Sequence, residues 1–325
     1  WNIFSFHLLN NIYIMKNSYS NIFTFNKQIL NKSIKNLNNG NIVSLPTETV
    51  YGLGGNAYSK SSIQKIYKLK GRPRSNPLIV HYYSLKDIFK DVVINENFRK
   101  LYNQFCPGPI TFVLEKKYGS KIHPLAAAKL KTVAIRFPEH AVVRSILKKI
   151  KFPLAMPSAN KSTSISPVTA EDVFDEFKKK IQLIIDGGKC KIGIESTVID
   201  LTSSPKILRP GIISKRSIEK ILKKKIKKNI NKKKIRSPGM MKKHYSPGIP
   251  VLINQKKHDG KSAFIYLGKK YKNKKKFFSL SKNLDLNEAA SNLYKLLRFI
   301  KKKGYKKIQI DKIPNIGSGI AINDR

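Results

Sequence analysis

The chain has 325 residues and carries 65 Lys plus Arg against 19 Asp plus Glu, a formal net charge of +46. Its 41% hydrophobic and 10% aromatic content is enough to fill real cores, so wholesale disorder is excluded, and the length suggests about two domains. The two cysteines, Cys106 and Cys190, are far apart and form no CxxC pair, which excludes a disulfide framework and a cysteine-built zinc site and makes a reducing, cytoplasmic setting the default.

At the start of the chain, the apolar stretch 1–15 is broken by His7, Asn10 and Asn11 and lacks a basic leader. Nowhere does an apolar run reach the roughly 18 residues of a membrane span, so neither secretion nor a membrane segment is expected. Met15 reads as the natural start and residues 1–14 as a translation overhang. From Ile22 to Leu222 helical patterns alternate with short β-branched runs, the signature of an α/β domain. Strands are expected near 42–45, 78–81, 111–114, 133–137, 154–156, 183–185, 197–201 and 207–208. Between them, Ile63, Ile66 and Tyr67 keep helical spacing over 61–70, with Gly71 as the stop. Thr169 followed by Asp172 is a capping-box-like start for a further helix.

A lysine-dense stretch, 223–234, runs into Arg236-Ser-Pro-Gly-Met-Met-Lys-Lys-His-Tyr-Ser-Pro247, and the Pro and Gly mark a boundary. A shorter α/β pattern follows, with strands at 251–253, 263–266 and 307–310 and an amphipathic helix over 286–302. The division is therefore a first domain over 15–225, a linker or lid over 226–249, and a small C-terminal α/β domain over 250–325.

A charge of +46 attracts polyanions, and weak binding of tRNA or other RNA is one reading of it. Most of the lysines read instead as compositional drift, because 55 of the 65 cations are Lys and they are accompanied throughout by Ile and Asn, the mixture an AT-rich genome writes. Where Lys is the default cation, each retained Arg marks a place that needs a planar, two-pronged donor. Arg72, Arg74, Arg136 and Arg209 all fall in segments punctuated by Gly, Pro and Ser.

No GxxxxGK[ST] loop, GxGxxG, HExxH or GxSxG occurs, so a nucleotide would need another cradle. In Ser44-Leu-Pro-Thr-Glu-Thr-Val-Tyr-Gly-Leu-Gly-Gly55 a strand enters a Thr-rich turn and then glycines that permit close backbone approach. Lys70-Gly-Arg-Pro-Arg-Ser-Asn-Pro77 crowds three cations into a loop stiffened by two prolines, a shape able to wrap a triphosphate. Each segment taken alone is also compatible with an ordinary connection. Phe105-Cys-Pro-Gly-Pro-Ile-Thr111 reads as a rigid turn in which Cys106 packs rather than reacts. In Thr132-Val-Ala-Ile-Arg-Phe-Pro138, alternation puts Thr132, Ala134 and Arg136 on one face, where the arginine can meet a carboxylate. Pro157-Ser-Ala-Asn160, Ser164-Ile-Ser-Pro167, Gly193-Ile-Glu-Ser-Thr-Val198 and Leu208-Arg-Pro-Gly211 each set polar groups at a strand or helix end.

In this order the segments resemble the YrdC/YciO domain of threonylcarbamoyl-adenylate synthases over about residues 29–222, and the later SPGMMKKHYSP segment resembles the longer, two-domain branch of that family. The resemblance implies a YrdC-like twisted mixed-sheet domain followed by a smaller Rossmann-like α/β domain. The final Ile316-Gly-Ser-Gly-Ile-Ala-Ile-Asn-Asp-Arg325 is similar to the family's ending but stops early, so a few further residues are expected beyond it. The implied activity is synthesis of L-threonylcarbamoyl-AMP and pyrophosphate from L-threonine, bicarbonate or CO2, and ATP. The product would pass to a tRNA-modifying threonylcarbamoyl transferase complex acting beside the anticodon. By motif, Thr49, His81, Arg136 and Ser196 would contact threonine, and Lys70, Arg72, Asn76, Thr132, Ser158, Asn160, Ser166 and Arg209 would contact ATP, with Tyr245 closing over it.

The resemblance implies no covalent nucleophile. Lys70 and Arg72 would align charge, and Mg²⁺ would ride on the nucleotide rather than in a protein metal site. Cys106 stands where the family often has an aromatic residue. A carbamoyl-adenylate enzyme of hydrogenase maturation shares the domain but needs zinc-finger cysteines that two cysteines cannot supply. A non-catalytic RNA-binding module of the same fold is the other alternative.

Overall fold

The computed structural model describes residues 19–226, 244–271 and 274–325; the proposed overhang and most of the proposed linker lie outside the described residues. Fourteen strands are described: β1 (Ile22–Thr24), β2 (Val43–Leu45), β3 (Gly52–Asn56), β4 (Ile79–His81), β5 (Ile110–Glu115), β6 (Thr132–Arg136), β7 (Leu154–Ala155), β8 (Ile184–Asp186), β9 (Thr197–Asp200), β10 (Lys206–Arg209), β11 (Val251–Leu252), β12 (Ala263–Tyr266), β13 (Phe277–Ser279) and β14 (Ile308–Ile310). The first ten form one sheet in the order β1-β8-β2-β3-β7-β4-β6-β5-β9-β10, and the last four form a second in the order β11-β14-β12-β13.

The large sheet is mixed. Parallel pairs such as β4·β6 and β5·β9 alternate with antiparallel ones such as β5·β6 and β9·β10. The small sheet is parallel throughout, as a Rossmann-like unit requires. Alternation along β6 holds as expected: Val133, Ile135 and Phe137 enter one apolar core, while Ala134 joins Ile79, Val113 and Val198 on the opposite face.

Helix punctuation follows the sequence closely. Ser59 caps Lys60–Lys70 through a hydrogen bond from Ser62 N, and Gly71 ends it in the left-handed region at φ 58°. Thr169 and Asp172 form a reciprocal capping box on Ala170–Phe177, and Leu286–Lys302 is one continuous helix opened by Asp285.

Three strands, β1, β3 and β13, escape sequence patterning. In β3, three of five residues are glycine, so no side-chain alternation exists to be read. They serve packing instead: a Cβ on Gly52 would stand 2.5 Å from Met156 Cγ, and one on Gly54 or Gly55 would press on Leu45 or Ile66.

The second sheet is fastened to the first domain by a shared apolar cluster. It joins Val50, Tyr51, Phe174 and Ile194 to Ala263, Leu293, Tyr294 and Ile322. At the seam Gly193, at φ +75°, lies so close to the helix Leu286–Lys302 that a Cβ would sit 2.6 Å from Ser291 O. Arg298 reinforces the seam by donating to Ile165 O at 2.5 Å. No helix of the described residues is long and apolar enough to cross a membrane.

Candidate active site

Strand ends and the loops that leave them enclose a cleft of about 430 Å³, open to solvent, on the first domain. Of the residues singled out from sequence, Arg72, His81, Arg136, Ser158 and Arg209 line it directly. Thr49, Lys70, Asn76, Asn160, Ser166, Ser196 and Tyr245 each stand one hydrogen bond behind a lining residue. Thr132 is the exception. It opens β6 opposite Glu115, whereas Arg136 closes the strand opposite Thr111, which puts the two roughly 13 Å apart along one face.

The first wall is the turn after β2. Thr47 accepts from the amides of Thr49 and Val50 at 3.1 Å and donates to Val50 O at 2.6 Å, a hydroxyl-closed turn. Thr47 therefore faces the cleft, with Thr49 Oγ1 2.9 Å behind it. Glu48, between them, is 5% exposed and reaches Arg136 Nη2 at 2.5 Å through Oε1, while Oε2 accepts from Glu139 N at 3.1 Å.

Arg136 is 4% exposed, and its Nε finds no hydrogen-bond partner among the described residues. A buried, unmatched guanidinium N–H is costly unless an acceptor comes to it, and a ligand carboxylate is the natural one. The parallel register of β4 and β6 sets His81 directly beside Arg136. Burial, and then the neighbouring Arg136 charge, push the His81 imidazole down to about 3, so it is neutral at working pH and adds no second cation to this corner.

A pH prediction follows from the same shift. The native state holds fewer protons on His81 than the unfolded chain between about pH 6.5 and 3, so this residue's contribution to stability is lost as pH falls through that window. His81→Asn should therefore flatten the acid limb of the stability profile, by up to about 1.4 kcal/mol per pH unit. Denaturant midpoints of both proteins from pH 7 to pH 4 check it, and parallel profiles would refute it.

Another part of the lining is cationic. Gly71 turns the chain so that Lys70, 2% exposed, donates through Nζ to Ser158 O at 2.5 Å and to Asn160 O. Burial, and next the charge of Arg72, lower the Lys70 ammonium well below its ordinary value. Arg72 curls its own loop, donating through Nε to Asn76 O at 3.0 Å and through Nη2 to Asn76 Oδ1 at 2.5 Å and Pro77 O at 2.8 Å. Ser158 Oγ donates to Asn160 Oδ1 at 2.5 Å, and the Asn160 amide holds Lys161 O and Ser164 O.

At the end of β10, Arg209 donates through Nε and Nη2 to Ser196 O at 3.1 and 2.9 Å and through Nη1 to Tyr245 Oη at 3.3 Å. Ser196 Oγ lies 2.7 Å from Thr111 Oγ1. Of the four arginines singled out, Arg74 alone does not join the site: Arg72 turns onto Asn76 and Pro77, and Arg74 stays exposed on the loop. Burial pushes the Cys106 thiol up and out of reactive range, in keeping with a packing role beside the Pro107 turn.

Sequence reasoning missed Thr47, Glu48 and Glu195 in the site, and Tyr294 and Arg325 behind it. A usable signal existed for the carboxylates. With 19 acids against 65 cations, an acid inside a Thr- or Ser-rich motif is as conspicuous as an arginine among lysines. Glu195 lines the cleft, accepts from Ser166 Oγ at 2.5 Å, and is held by Tyr294 Oη at 2.9 Å and Arg325 Nε at 2.7 Å. Burial would raise its carboxyl, but Arg325 and Arg209 outweigh that and hold it below the usual carboxylate range.

Two family models match the chain. The Sua5/YciO/YrdC model, described as telomere recombination, covers residues 35–211, and the threonylcarbamoyl-AMP synthase C-terminal domain model covers 213–325. Threonylcarbamoyl-AMP synthase of Pyrococcus abyssi is 44% identical over 188 residues, covering 56% of this chain and 54% of that protein. The Bacillus subtilis protein of the same name is 41% identical over 189 residues, covering 57% and 54%. The chain thus spans about half the length of the curated relatives it matches. Among solved structures, P. abyssi Sua5 complexed with L-threonine superposes with a TM-score of 0.86 at 32% identity, covering 93% of this chain and 95% of that one. Escherichia coli YciO, with a TM-score of 0.53 at 21% identity over 59% of this chain and 96% of that one, shares the fold of the first domain.

Proposed function

We propose, for a chain that belongs to the Sua5/YciO/YrdC family and carries that family's C-terminal synthase domain, that the cleft makes L-threonylcarbamoyl-AMP from L-threonine, bicarbonate and ATP and releases pyrophosphate. The observation that carries this reading is the convergence of Arg72, Arg136 and Arg209 on one cleft, with the buried Arg136 Nε still unmatched beside a neutral His81. Likeness over nearly the whole chain to a protein crystallised with L-threonine supports it.

Threonine would sit with its carboxylate on Arg136 and its hydroxyl and amine toward Ser196, His81 and the Thr47–Thr49 turn. The amine attacks bicarbonate, and loss of water leaves an anionic carbamate. A carbamate oxygen then attacks the α-phosphorus of ATP, the bond to the bridging oxygen breaks, and pyrophosphate departs. Every partner in this sequence is an anion, so Coulomb repulsion opposes the approach, and the work left to the protein is alignment and charge neutralisation. Lys70, Arg72 and Arg209 supply the charge, while Asn76, Ser158, Asn160, Ser166 and Tyr245 fix the nucleotide. Thr132, one strand length away on the same face, would reach only the far end of an extended ATP.

Mg²⁺ would arrive on the nucleotide. Both cleft-side carboxylates, Glu48 and Glu195, are committed to arginines, and no cluster of three or more metal-ligating side chains occurs among the described residues. Threonine is distinguished from serine by one methyl, worth about 1–3 kcal/mol in a fitted pocket, so serine should be a slow substrate. The labile product would be consumed by a tRNA-modifying threonylcarbamoyl transferase complex, in the cytoplasm, with surface lysines giving at most weak tRNA affinity.

Pyrophosphate release from ATP tests the reading: it should require threonine and bicarbonate together and fall to background when either is withheld. Release indifferent to threonine, alongside tight salt-sensitive RNA binding, would overturn it in favour of an RNA-binding module.

A further inference from the structure

The second domain reaches into the wall of the cleft. Glu195 Oε1 is bound from within the first domain by Ser166, but Oε2 takes both of its donors from the second: Tyr294 Oη at 2.9 Å and Arg325 Nε at 2.7 Å. The Arg325 side chain is 1% exposed and that of Glu195 6%. Arg325 Nη2 also donates to Glu195 O at 3.3 Å and to Pro210 O at 3.1 Å, so one guanidinium brackets Ser196 and Arg209 from both flanking residues. Its central carbon lies 4.9 Å from the centre of the Tyr245 ring, and that ring stacks on Tyr294 with centroids 6.0 Å apart. Tyr245 in turn accepts from Arg209.

Adhesion between the domains does not require these charges. The apolar cluster across the seam already fastens them, and a buried ion pair rarely outperforms well-packed hydrocarbon in stability alone. What such a pair does well is fix geometry. Ser166, Arg209 and Tyr245, each touched by it or bonded to a group it touches, are assigned above to ATP; of the threonine set only Ser196, next to Glu195, is within its reach, and Arg209 and Thr111 hold that residue as well. None touches the His81–Arg136 corner assigned to threonine.

We propose that Arg325 and Tyr294 are positioning residues for the nucleotide half of the cleft, acting through Glu195, so that the second domain completes the ATP site of the first. The inference rests on the synthase reading above.

Steady-state pyrophosphate release by the full chain tests it, with KM for ATP and KM for threonine measured separately. Arg325→Gln should raise KM for ATP about tenfold, the loss expected for one charge-assisted hydrogen bond, and leave KM for threonine within about twofold. Tyr294→Phe, which keeps the ring packing and loses only the hydroxyl, should move KM for ATP in the same direction. In a Glu195→Gln background, Arg325→Gln should add little, because the carboxylate it acts through is altered. Unchanged KM for ATP, or an equal rise for both substrates, would overturn the inference. Should Arg325→Gln lose cooperative melting, Tyr294→Phe decides by the same criterion. A wild-type chain without threonine-dependent release would sink the synthase reading and this inference with it; an active wild type with unmoved variants would sink the inference alone.

Discussion

Glu48→Gln is expected to lower stability by about 3 kcal/mol and to change how the protein responds to threonine. The substituted amide can still accept a hydrogen bond, but it removes the anion that, among the described residues, pairs with a guanidinium that is 4% exposed and has an Nε left unmatched there. An uncompensated buried charge is among the costliest defects a fold can hold. Threonine should partly repair it, since a bound carboxylate supplies the missing charge. The variant should therefore gain more melting temperature from saturating threonine than the wild type does. A double variant, Glu48→Leu with Arg136→Met, separates the two roles: it should return to within about 1 kcal/mol of wild-type stability while losing threonine binding altogether. Denaturant unfolding and calorimetric titration with threonine measure both quantities. A Glu48→Gln chain that is destabilised by less than about 1 kcal/mol would mean that the Arg136 charge is compensated elsewhere.

The legible part of this protein is what periodicity and punctuation encode. Strand β12 and the helix Leu286–Lys302 fall where a short apolar run and 3.6-residue spacing put them, and Gly71 ends its helix as its freedom at positive φ allows. Arginine scarcity was informative because a planar fork is the one thing Lys cannot replace, and Arg72, Arg136 and Arg209 do meet at one cleft. The same logic overreached at Arg74, which stays exposed on the loop while Arg72 turns onto Asn76 and Pro77. Strand β3 was unreadable because its selection is for absence of side chains: the glycines admit Met156, Leu45 and Ile66, which patterning of β3 itself cannot reveal. Least legible was the dependence of the cleft on the far end of the chain. Glu195 and Arg325 are separated by 130 residues, and no local pattern links a carboxylate to a cation that distant.

Arg72→Lys is the second substitution with a large expected effect, and its signature is opposite to that of Glu48→Gln: activity falls while stability holds. The Arg72 fork performs two tasks. Its Nε and Nη2 curl the loop by holding Asn76 O, Asn76 Oδ1 and Pro77 O, and its charge faces the cleft. A lysine ammonium is a point charge that can hold those oxygens or turn toward a phosphate, and its geometry does not permit both. Burial brings the Arg72 guanidinium down to about 10, which leaves it cationic at neutral pH, so charge is conserved in the substitution and only geometry is lost. Misalignment of phosphates by this kind of change costs about 100-fold in kcat/KM for ATP. The loop residues Pro73, Arg74 and Ser75 are exposed and contribute little to the core, so the melting temperature should move by no more than about 2 °C. Threonine affinity should also hold, because the bonds of Arg72 run to Asn76 and Pro77 rather than to Arg136 or His81. Retention of activity within about threefold of wild type would show that Arg72 acts through charge alone, and the forked-donor account of this cleft would then rest on Arg136 and Arg209.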